Sequence, residues 1–284
     1  MKKILAMIPV LVLAFAAFAL AQTPFGMQGM PQETKDLKQA FIKGSIVVKG
    51  EATADTTLPV GQRKLMAMRG AKAMAYREIA ELLEGVAVSG ETTVANTMTQ
   101  SDVVRVMVQG MVKGAQIVNE SYDQFTGIGT VWLAIPMTGE NGVVGQLMPQ
   151  VAAMVPPQPA FAPMVAPPAP AAKYDGLIID VKDQQFKPAL INRILTKNGE
   201  VIYDPAKVAQ NILVERGAAE YTNDVGKAKA LLGERGAGNP LVIKAGGVVK
   251  STDAVVGPDD ASAIFSSNQQ SNYLEGAKVV FVLR

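Results

Sequence analysis

Cysteine and histidine are both absent from this chain of 284 residues. Without cysteine there is no disulfide, no thiol nucleophile, no thiolate metal site and no lipid-modified cysteine. Without histidine there is no Ser-His-Asp triad, no Cys-His pair and no imidazole ligand. We therefore expect no catalytic residue, no metal ion and no cofactor, and we predict that the protein is not an enzyme.

Aromatic residues and net charge are also scarce. Aromatic side chains make up 6% of the chain, Trp132 is the only tryptophan, and 27 basic residues stand against 25 acidic ones. Proteins that bind nucleic acid need a basic surface, and those that bind single strands add aromatic stacking platforms. We expect no nucleic-acid partner, and we predict that Trp132 is a sheet or core residue.

Two short stretches contain residue types that occur in binding sites, but the sequence around them does not fit such sites. Gly233 to Gly238 is rich in glycine, but it follows a predicted helix, whereas a phosphate-binding loop follows a strand. Asp180 and Asp183 form a close acidic pair at a predicted strand end, but a calcium or magnesium site needs more oxygen ligands than the neighbouring sequence offers. Carboxylate-based hydrolysis remains a minor alternative.

The N-terminus is typical of a bacterial secretory signal. Lys2 and Lys3 precede an apolar run that is broken only by Pro9, and Ala19-Leu20-Ala21 provides a cleavage site. Residues 1–21 are predicted to be a signal peptide, with a retained membrane anchor as the alternative. Residues 22–36 are predicted to be a flexible tail. We expect the periplasm or the outer-membrane periphery as the location, and no membrane span after cleavage.

The stretch from Met66 to Val94 predicts a long helix followed by a strand. Apolar residues recur at three- and four-residue steps, which gives one stripe on a helix: Leu65, Met68, Ala71, Ala75, Ile79 and Leu82. Gly85 is predicted to end the helix in a left-handed conformation. From Val86 onwards the period changes to two, which is typical of a strand.

The charges on this helix are arranged against its dipole. Basic residues crowd its N-terminal half and acidic residues its C-terminal half, although the dipole favours the reverse. One interpretation is a solvated surface, and the other is a face that docks a partner or a second copy. The candidate interaction face, called the charged face below, comprises Arg69, Lys72, Arg77, Glu78, Glu81 and Glu84.

Around this helix the sequence predicts a first domain over residues 37–138. Ser45 to Ala54 alternates as a strand does, and Ala115–Gln124 with Ile128–Met137 predicts a hairpin. Val103 to Val112 has helical spacing after a weak capping box at Thr99 and Asp102, with a strand as the alternative. The expected fold class is α+β, with a mostly antiparallel sheet covered by two helices.

Residues 139–173 are predicted to be a Pro/Ala-rich linker, because Pro156 to Ala172 consists largely of these two residues. A spacer is one interpretation of it, and a docking peptide is the other. Residues 174–284 are predicted to form a second small domain of mixed α/β type. Its expected strands are Gly176–Val181, Leu190–Leu195, Glu200–Tyr203, Pro240–Lys250 and Ala277–Leu283. Helices are expected to begin at Asp204-Pro205 (through about Val214), at Asp224 and at Pro258.

Residues of the long helix carry a family resemblance: Arg69, Ala71, Ala75, Tyr76, Arg77, Ala80, Glu81, Gly85 and Val86. The region from Gly44 to Met137 resembles the domain shared by the Lpp-twenty lipoproteins and the N-terminal region of flagellar assembly protein T. The resemblance implies a periplasmic, non-enzymatic module of the outer-membrane region that is sometimes linked to flagellar structures. This chain departs from the family in having no lipidation cysteine.

Taken together, these patterns predict a secreted structural or assembly protein of the bacterial envelope. It would act through contacts with other envelope proteins or with itself, in association with the flagellum or the outer membrane. The alternative is a periplasmic protein that binds a small molecule.

Overall fold

A computed structural model describes residues 31–156, 158–163 and 173–284. The predicted signal peptide, most of the predicted tail and most of the Pro/Ala-rich stretch lie outside the described residues. Within them, no helix combines the length and the apolar character that crossing a membrane requires. Residues 31–284 form one compact unit.

The N-terminal half contains five helices and five strands among the described residues. They are α1 (Leu37–Lys43), β1 (Ser45–Thr53), α2 (Val60–Gly85), β2 (Ala87–Ser89), β3 (Thr92–Thr93), α3 (Val94–Gln100), α4 (Asp102–Lys113), β4 (Gln116–Tyr122), β5 (Ile128–Pro136) and α5 (Val143–Ala152). The main sheet is antiparallel in the order β1-β5-β4. Helix α2 lies across β1 and β5, and α4 packs against α2 and α5.

The long helix is confirmed, but two details of its prediction are wrong. Its buried residues recur at every fourth position (Ala67, Ala71, Ala75, Ile79 and Leu83), whereas Leu65 of the predicted stripe is 50% exposed. Because an α-helix has 3.6 residues per turn, every fourth residue lies at a slightly different angle around the helix axis. The buried side of α2 therefore rotates gradually along the helix, as the twist of the sheet requires. Gly85 is the last helical residue, and Val86 caps the helix with φ −57°.

Small residues let α2 lie close to the sheet. A Cβ atom at Gly50 of β1 would lie 2.1 Å from the carbonyl oxygen of Ala71 and 2.4 Å from the backbone nitrogen of Ala75. A Cβ atom at Gly129 of β5 would lie 2.8 Å from the carbonyl carbon of Ala67. The contact between α2 and the sheet is therefore backbone against backbone, and it requires glycine at both positions.

The strand predicted after α2 is replaced by a short hairpin. Gly90, with φ 62°, turns β2 back onto β3, and Thr93 then caps α3 in a capping box with Asn96. The capping box predicted at Thr99 and Asp102 is wrong, since Ser101 caps α4. The helical interpretation of this region is confirmed by α4, and the predicted hairpin is confirmed by β4 and β5.

The C-terminal half consists of two four-stranded sheets and three helices among the described residues. Its elements are β6 (Gly176–Asp180), β7 (Ile194–Thr196), β8 (Val201–Tyr203), α6 (Gln210–Arg216), β9 (Glu220–Thr222), α7 (Val225–Glu234), β10 (Pro240–Lys244), β11 (Gly247–Val249), β12 (Asp253–Val256), α8 (Pro258–Ser271) and β13 (Val279–Val282). One sheet is parallel in the order β10-β6-β13-β9, and the other is mixed in the order β11-β12-β7-β8. The expected fold class is confirmed in both halves.

In this half, helix caps and turns predicted from a few neighbouring residues are confirmed more often than the predicted lengths of helices and strands. Asp224 caps α7 by accepting a hydrogen bond from the backbone of Lys227, and Gly199 turns β7 into β8 with φ 83°. Asp204 caps only a short 3-10 turn, after which α6 begins at Gln210, so the continuous helix predicted there is wrong. The strand predicted over 190–195 is limited to β7, and the one over 240–250 divides into β10 and β11, which belong to different sheets.

Part of the region assigned to a linker is folded. Helix α5 lies inside 139–173 and buries five apolar side chains, which are Val143, Val144, Leu147, Met148 and Val151. Further on, Ala160 forms a parallel bridge to Val201 of β8. The positions of the domain boundaries themselves remain a prediction.

The two halves pack directly against each other. One hydrophobic core contains Ile79 and Leu133 from the first half together with Leu190 and Phe281 from the second. Backbone hydrogen bonds also join them: Leu190 N–H donates to Ala87 O and Ile191 N–H to Val88 O, each at 2.9 Å. Both the core and these hydrogen bonds hold the halves in a fixed arrangement.

Candidate functional site

The charged face lies on the outer side of α2, away from the β1-β5-β4 sheet. Lys72 is half-buried, and the other five residues of the face are exposed. Within the described residues, none of the six forms an ion pair or a side-chain hydrogen bond. The Nζ atom of Lys72 lies 5.7 Å from the centre of the Tyr76 ring. The structure thus places all six predicted residues on α2 with five of them exposed, but they are spread around the helix, since nine residues (two and a half turns) separate Arg69 from Glu78.

One of the basic residues outside the charged face has a structural role. Arg63 donates from Nη2 to the carbonyl oxygens of Thr56 at 3.1 Å and of Leu58 at 3.3 Å. It therefore braces the turn that leads into α2, whose N-terminal cap, Pro59, makes no side-chain hydrogen bond. The contact with that turn explains one of the basic residues near the N-terminus of α2. It does not explain the residues of the charged face.

Apolar side chains are exposed next to the charged face. Leu65 and Met66 are each 50% exposed and Met74 is 45% exposed, although all three belong to a helix with a buried side. Arg69 lies one helical turn from both Leu65 and Met66. A surface that mixes charge with flexible apolar side chains is suited to contact with another protein.

A second candidate site is a cavity of about 510 Å³ between the two halves. Its apolar lining includes Phe41, Met137, Val144 and Leu190, and the last three of these are buried core residues. Charged side chains also line it: Lys43, Glu215, Arg216, Glu220, Glu234 and Arg235. Cavities with apolar lining and a few polar groups are typical of ligand sites, and this volume lies within their usual range.

Arg235 organises one wall of this cavity. It is buried, and its Nε donates to Oε1 of Glu220 at 2.5 Å. Its two remaining nitrogens donate to the carbonyl oxygens of Ala277 and Arg216. Because every nitrogen of the guanidinium is engaged, Arg235 fixes this wall of the cavity, and its neighbour Glu234, which also lines the cavity, is exposed.

Tyr221 lines the cavity, and its hydroxyl is hydrogen-bonded inside the protein. Its hydroxyl donates to Oδ1 of Asn192 at 2.6 Å, with the carbonyl oxygen of Ala189 at 3.2 Å. Burial raises the pKa of this phenol far above its ordinary value of 10.0. The ring packs edge-on against Phe41 at 5.1 Å between centroids, so Tyr221 joins the two halves.

Sequence reasoning missed this cavity because its lining comes from distant parts of the chain. Arg235 and Glu234 lie in the glycine-rich stretch from Gly233 to Gly238, whose sequence context does not fit a phosphate-binding loop. In the structure this stretch ends α7 and leads into β10. A buried arginine beside a turn indicates a cavity wall only when the strand that its side chain contacts is known.

The acidic pair Asp180 and Asp183 is explained by ion pairs. Asp180 lies 3.5 Å from Lys182, and Asp183 lies 2.6 Å from Lys244. The hydrogen bond and charge of Lys244 lower the pKa of Asp183. Among the described residues there is no group of three or more acidic side chains that could hold a metal ion.

Trp132 lies in the central strand of the antiparallel sheet, on the face opposite α2. Its residue partner in β1 is Lys49, whose Nζ lies 6.0 Å from the ring centre. The ring is half-buried, which agrees with its interpretation as a sheet residue.

Comparison with known proteins gives one family match. Residues 176–284 match the family model described as the second domain of Treponema pallidum Tp0624. The match begins at the first residue of β6 and covers the C-terminal half. None of the curated proteins matches the chain. The region from Gly44 to Met137 lies outside the match, so its resemblance to the Lpp-twenty and flagellar assembly protein T domain remains a prediction.

Proposed function

We propose that this protein is a non-enzymatic assembly or structural protein of the bacterial envelope, which docks a partner through the charged face of α2. The observation that supports the proposal most directly is the exposure of five of the six charges, together with their lack of ion pairs in the described part of the chain. Of the six charges, those of Glu81 and Glu84 lie in or next to the last turn of α2, where a negative charge placed against the helix dipole costs a few tenths to about 1 kcal/mol. A partner with the opposite charge order would offset this cost.

A second copy of the chain has such an order. In an antiparallel pair of α2 helices, the basic half around Arg69 and Lys72 would lie opposite the acidic half around Glu81 and Glu84. The exposed side chains of Leu65, Met66 and Met74 would add apolar contact at the same surface. Self-association is therefore one form of the proposed docking, and another envelope protein with an equivalent helix is the other.

The proposed setting is the periplasm or the outer-membrane periphery. It is supported by the signal-like sequence of residues 1–21 and by the resemblance of Gly44 to Met137 to the Lpp-twenty and flagellar assembly protein T domain. We propose membership of that family for the N-terminal half, and with it an outer-membrane or flagellar association. The absence of histidine and cysteine supports a role without catalysis.

The experiment reverses the acidic half of the face. We expect the triple variant Glu78→Lys, Glu81→Lys, Glu84→Lys to lower partner recovery from the envelope fraction, or dimer formation, by about tenfold or more at low salt. A matched control is Glu91→Lys, Glu120→Lys, Glu140→Lys, which makes the same charge change at three exposed positions off this face. Affinity purification and light scattering measure both outcomes.

A second variant tests self-association separately. A second triple variant, Arg69→Glu, Lys72→Glu, Arg77→Glu, makes the whole face acidic, whereas the first makes it basic. If copies pair through this face, mixing the two variants restores the dimer that each has lost. Unchanged partner recovery and unchanged oligomer size in both variants contradict the proposal.

A further inference from the structure

We propose that the cavity between the two halves binds a short extended peptide with free termini, which adds as a strand to the edge of β9. The residues involved lie off the charged face, so this inference goes beyond the proposed docking function and does not depend on it. Three observations carry it: an open strand edge, two unpaired charges of opposite sign, and the cavity itself.

The open edge is the outer side of β9. In the parallel sheet this strand has a neighbour on one side only, β13. Leu283 N–H donates to Thr222 O at 2.7 Å, so the backbone groups of Thr222 point towards β13. Because these groups alternate along a strand, the N–H and C=O of Tyr221 point to the free side.

The backbone of Tyr221 is available for a ligand. Neither its N–H nor its C=O takes part in a hydrogen bond with another described residue outside the sheet. Tyr221 is nevertheless a buried residue, and Ala219, Glu220 and Tyr221 all line the cavity. Because these two groups lie on the free edge of β9 and face the cavity side, a ligand that carries both an acceptor and a donor can pair with them. One residue of an extended peptide does so.

The charges at the cavity leave one cation and one anion unpaired. Arg235 pairs with Glu220 at 2.5 Å, and Arg216 pairs with Glu215 at 3.1 Å. The other two charged lining residues, Lys43 and Glu234, form no ion pair within the described ranges; Lys43 makes only a long contact of 3.4 Å with Gln32. Both side chains are exposed, so a ligand with a carboxylate beside Lys43 and an ammonium beside Glu234 would add two charge-assisted contacts at the cavity.

The size of the site limits the length of the peptide. Strand β9 has three residues, and the cavity of about 510 Å³ falls in the range of small-ligand sites. About three extended residues span roughly 10 Å. The apolar floor formed by Met137, Val144 and Leu190 favours an apolar side chain on the peptide. The ligand class is therefore a short, mostly apolar peptide of about three residues with both termini free.

The test uses the full chain and the peptide Ala-Leu-Ala. We expect calorimetry to show binding, and hydrogen exchange to show slower exchange at the Tyr221 amide when the peptide is present. Acetylating the N-terminus and amidating the C-terminus removes both charges and should weaken binding by about tenfold for each one removed. Free alanine, which cannot span both charges and the edge, should bind more weakly still.

Variants assign the two charges. Lys43→Ala should remove the dependence on the peptide carboxylate, and Glu234→Gln the dependence on its amino group, each with a loss of about tenfold in affinity. Lys229→Ala is the matched control, since it removes an exposed lysine from α7 outside the cavity lining. The inference is overturned if no peptide binds at millimolar concentration, if capped and free peptides bind equally, or if the Tyr221 amide exchanges at an unchanged rate. The Glu78, Glu81 and Glu84 variant should bind the peptide normally, so the two proposals fail separately.

Discussion

At Gly50, an added methyl group would lie 2.1 Å from the carbonyl oxygen of Ala71, a backbone atom that no side-chain rotation can move away. We expect Gly50→Ala to lower the free energy of unfolding by about 2 kcal/mol or more, because α2 must shift away from the sheet. Urea denaturation at 25 °C measures this.

The control is another glycine in the same half. Gly110 lies inside α4 with no atom within 4 Å of the position of an added Cβ. Gly110→Ala should therefore raise the free energy of unfolding by about 0.5 to 1 kcal/mol, since alanine favours helix. Equal effects of the two substitutions would show that α2 does not lie as close to the sheet as described.

Buried tyrosines give the protein a dependence on alkaline pH. Burial is the main cause that raises the pKa of Tyr273 from 10.0 to about 12, although its hydrogen bond with Ser267 acts against the rise. A phenol with a raised pKa in the folded state stabilises the fold below its unfolded pKa, and this contribution is lost as the pH rises through the folded value.

We therefore expect stability to hold up to about pH 10 and to fall between pH 10 and about 12. Tyr273→Phe should reduce the slope of this fall, because it removes one titrating group, although Tyr203 and Tyr221 also have raised pKa values through burial. Denaturation at a series of pH values checks this, and an identical slope in the variant would contradict it.

At the scale of elements, the sequence predicted features that depend on neighbouring residues. Asp224 caps α7 and Gly199 turns a hairpin because a cap or a turn is completed within a few residues. The spacing predicts that Leu65 is buried, but Leu65 is 50% exposed because the buried side of α2 follows the twist of the sheet below it, which local spacing does not reveal. The division of 240–250 into β10 and β11 depends on which strands lie beside them, and that is a long-range property.

The dependence on long-range contacts also explains how much of the two candidate sites the sequence could predict. The exposure of five of the six charged residues could be predicted because they lie on one helix whose apolar side is buried, whereas their role as a docking face stays a prediction. The cavity combines Lys43, Tyr221 and Glu234 from three separate elements, and only the arrangement of the two halves brings them together.

The described part of the Pro/Ala-rich stretch, from Gln158 to Pro163, contacts the edge of β8. Phe161 N–H donates to Val201 O, and Val201 N–H donates to Pro159 O, each at 2.8 Å. The ring of Phe161 also packs edge-on against Phe265 at 5.9 Å between centroids. These contacts fix the described segment on the edge of β8 within its own chain.

We expect Phe161→Ala to speed hydrogen exchange at the Val201 amide and to lower the free energy of unfolding by about 1 kcal/mol. Phe125→Ala is the control, since Phe125 is fully exposed at the tip of the β4–β5 hairpin. An effect of equal size at both phenylalanines would show that Phe161 does not anchor the segment.

For the whole molecule, the shared core predicts that the two halves stay together without a covalent connection. Gly139 N–H donates to Val214 O at 2.7 Å, and Gly90 N–H donates to the Thr252 hydroxyl at 2.6 Å, in addition to the contacts of the core. If a protease site is inserted between residues 164 and 172 and then cut, the fragments should elute together in gel filtration and separate only under denaturing conditions. Separate elution of the folded fragments would contradict a shared core.

The central claim is that the charged face of α2 docks a partner in the envelope, and site-specific photo-cross-linking tests it most directly. A photoreactive residue at Ala73, which is exposed on α2 between Arg69 and Arg77, leaves every charge in place. We expect a discrete cross-linked species in the envelope fraction. It should be lost with the Glu78, Glu81 and Glu84 reversal and kept with the Glu91, Glu120 and Glu140 control. A cross-linked species that survives the reversal, or none at all in cells where the protein is exported, would contradict the claim.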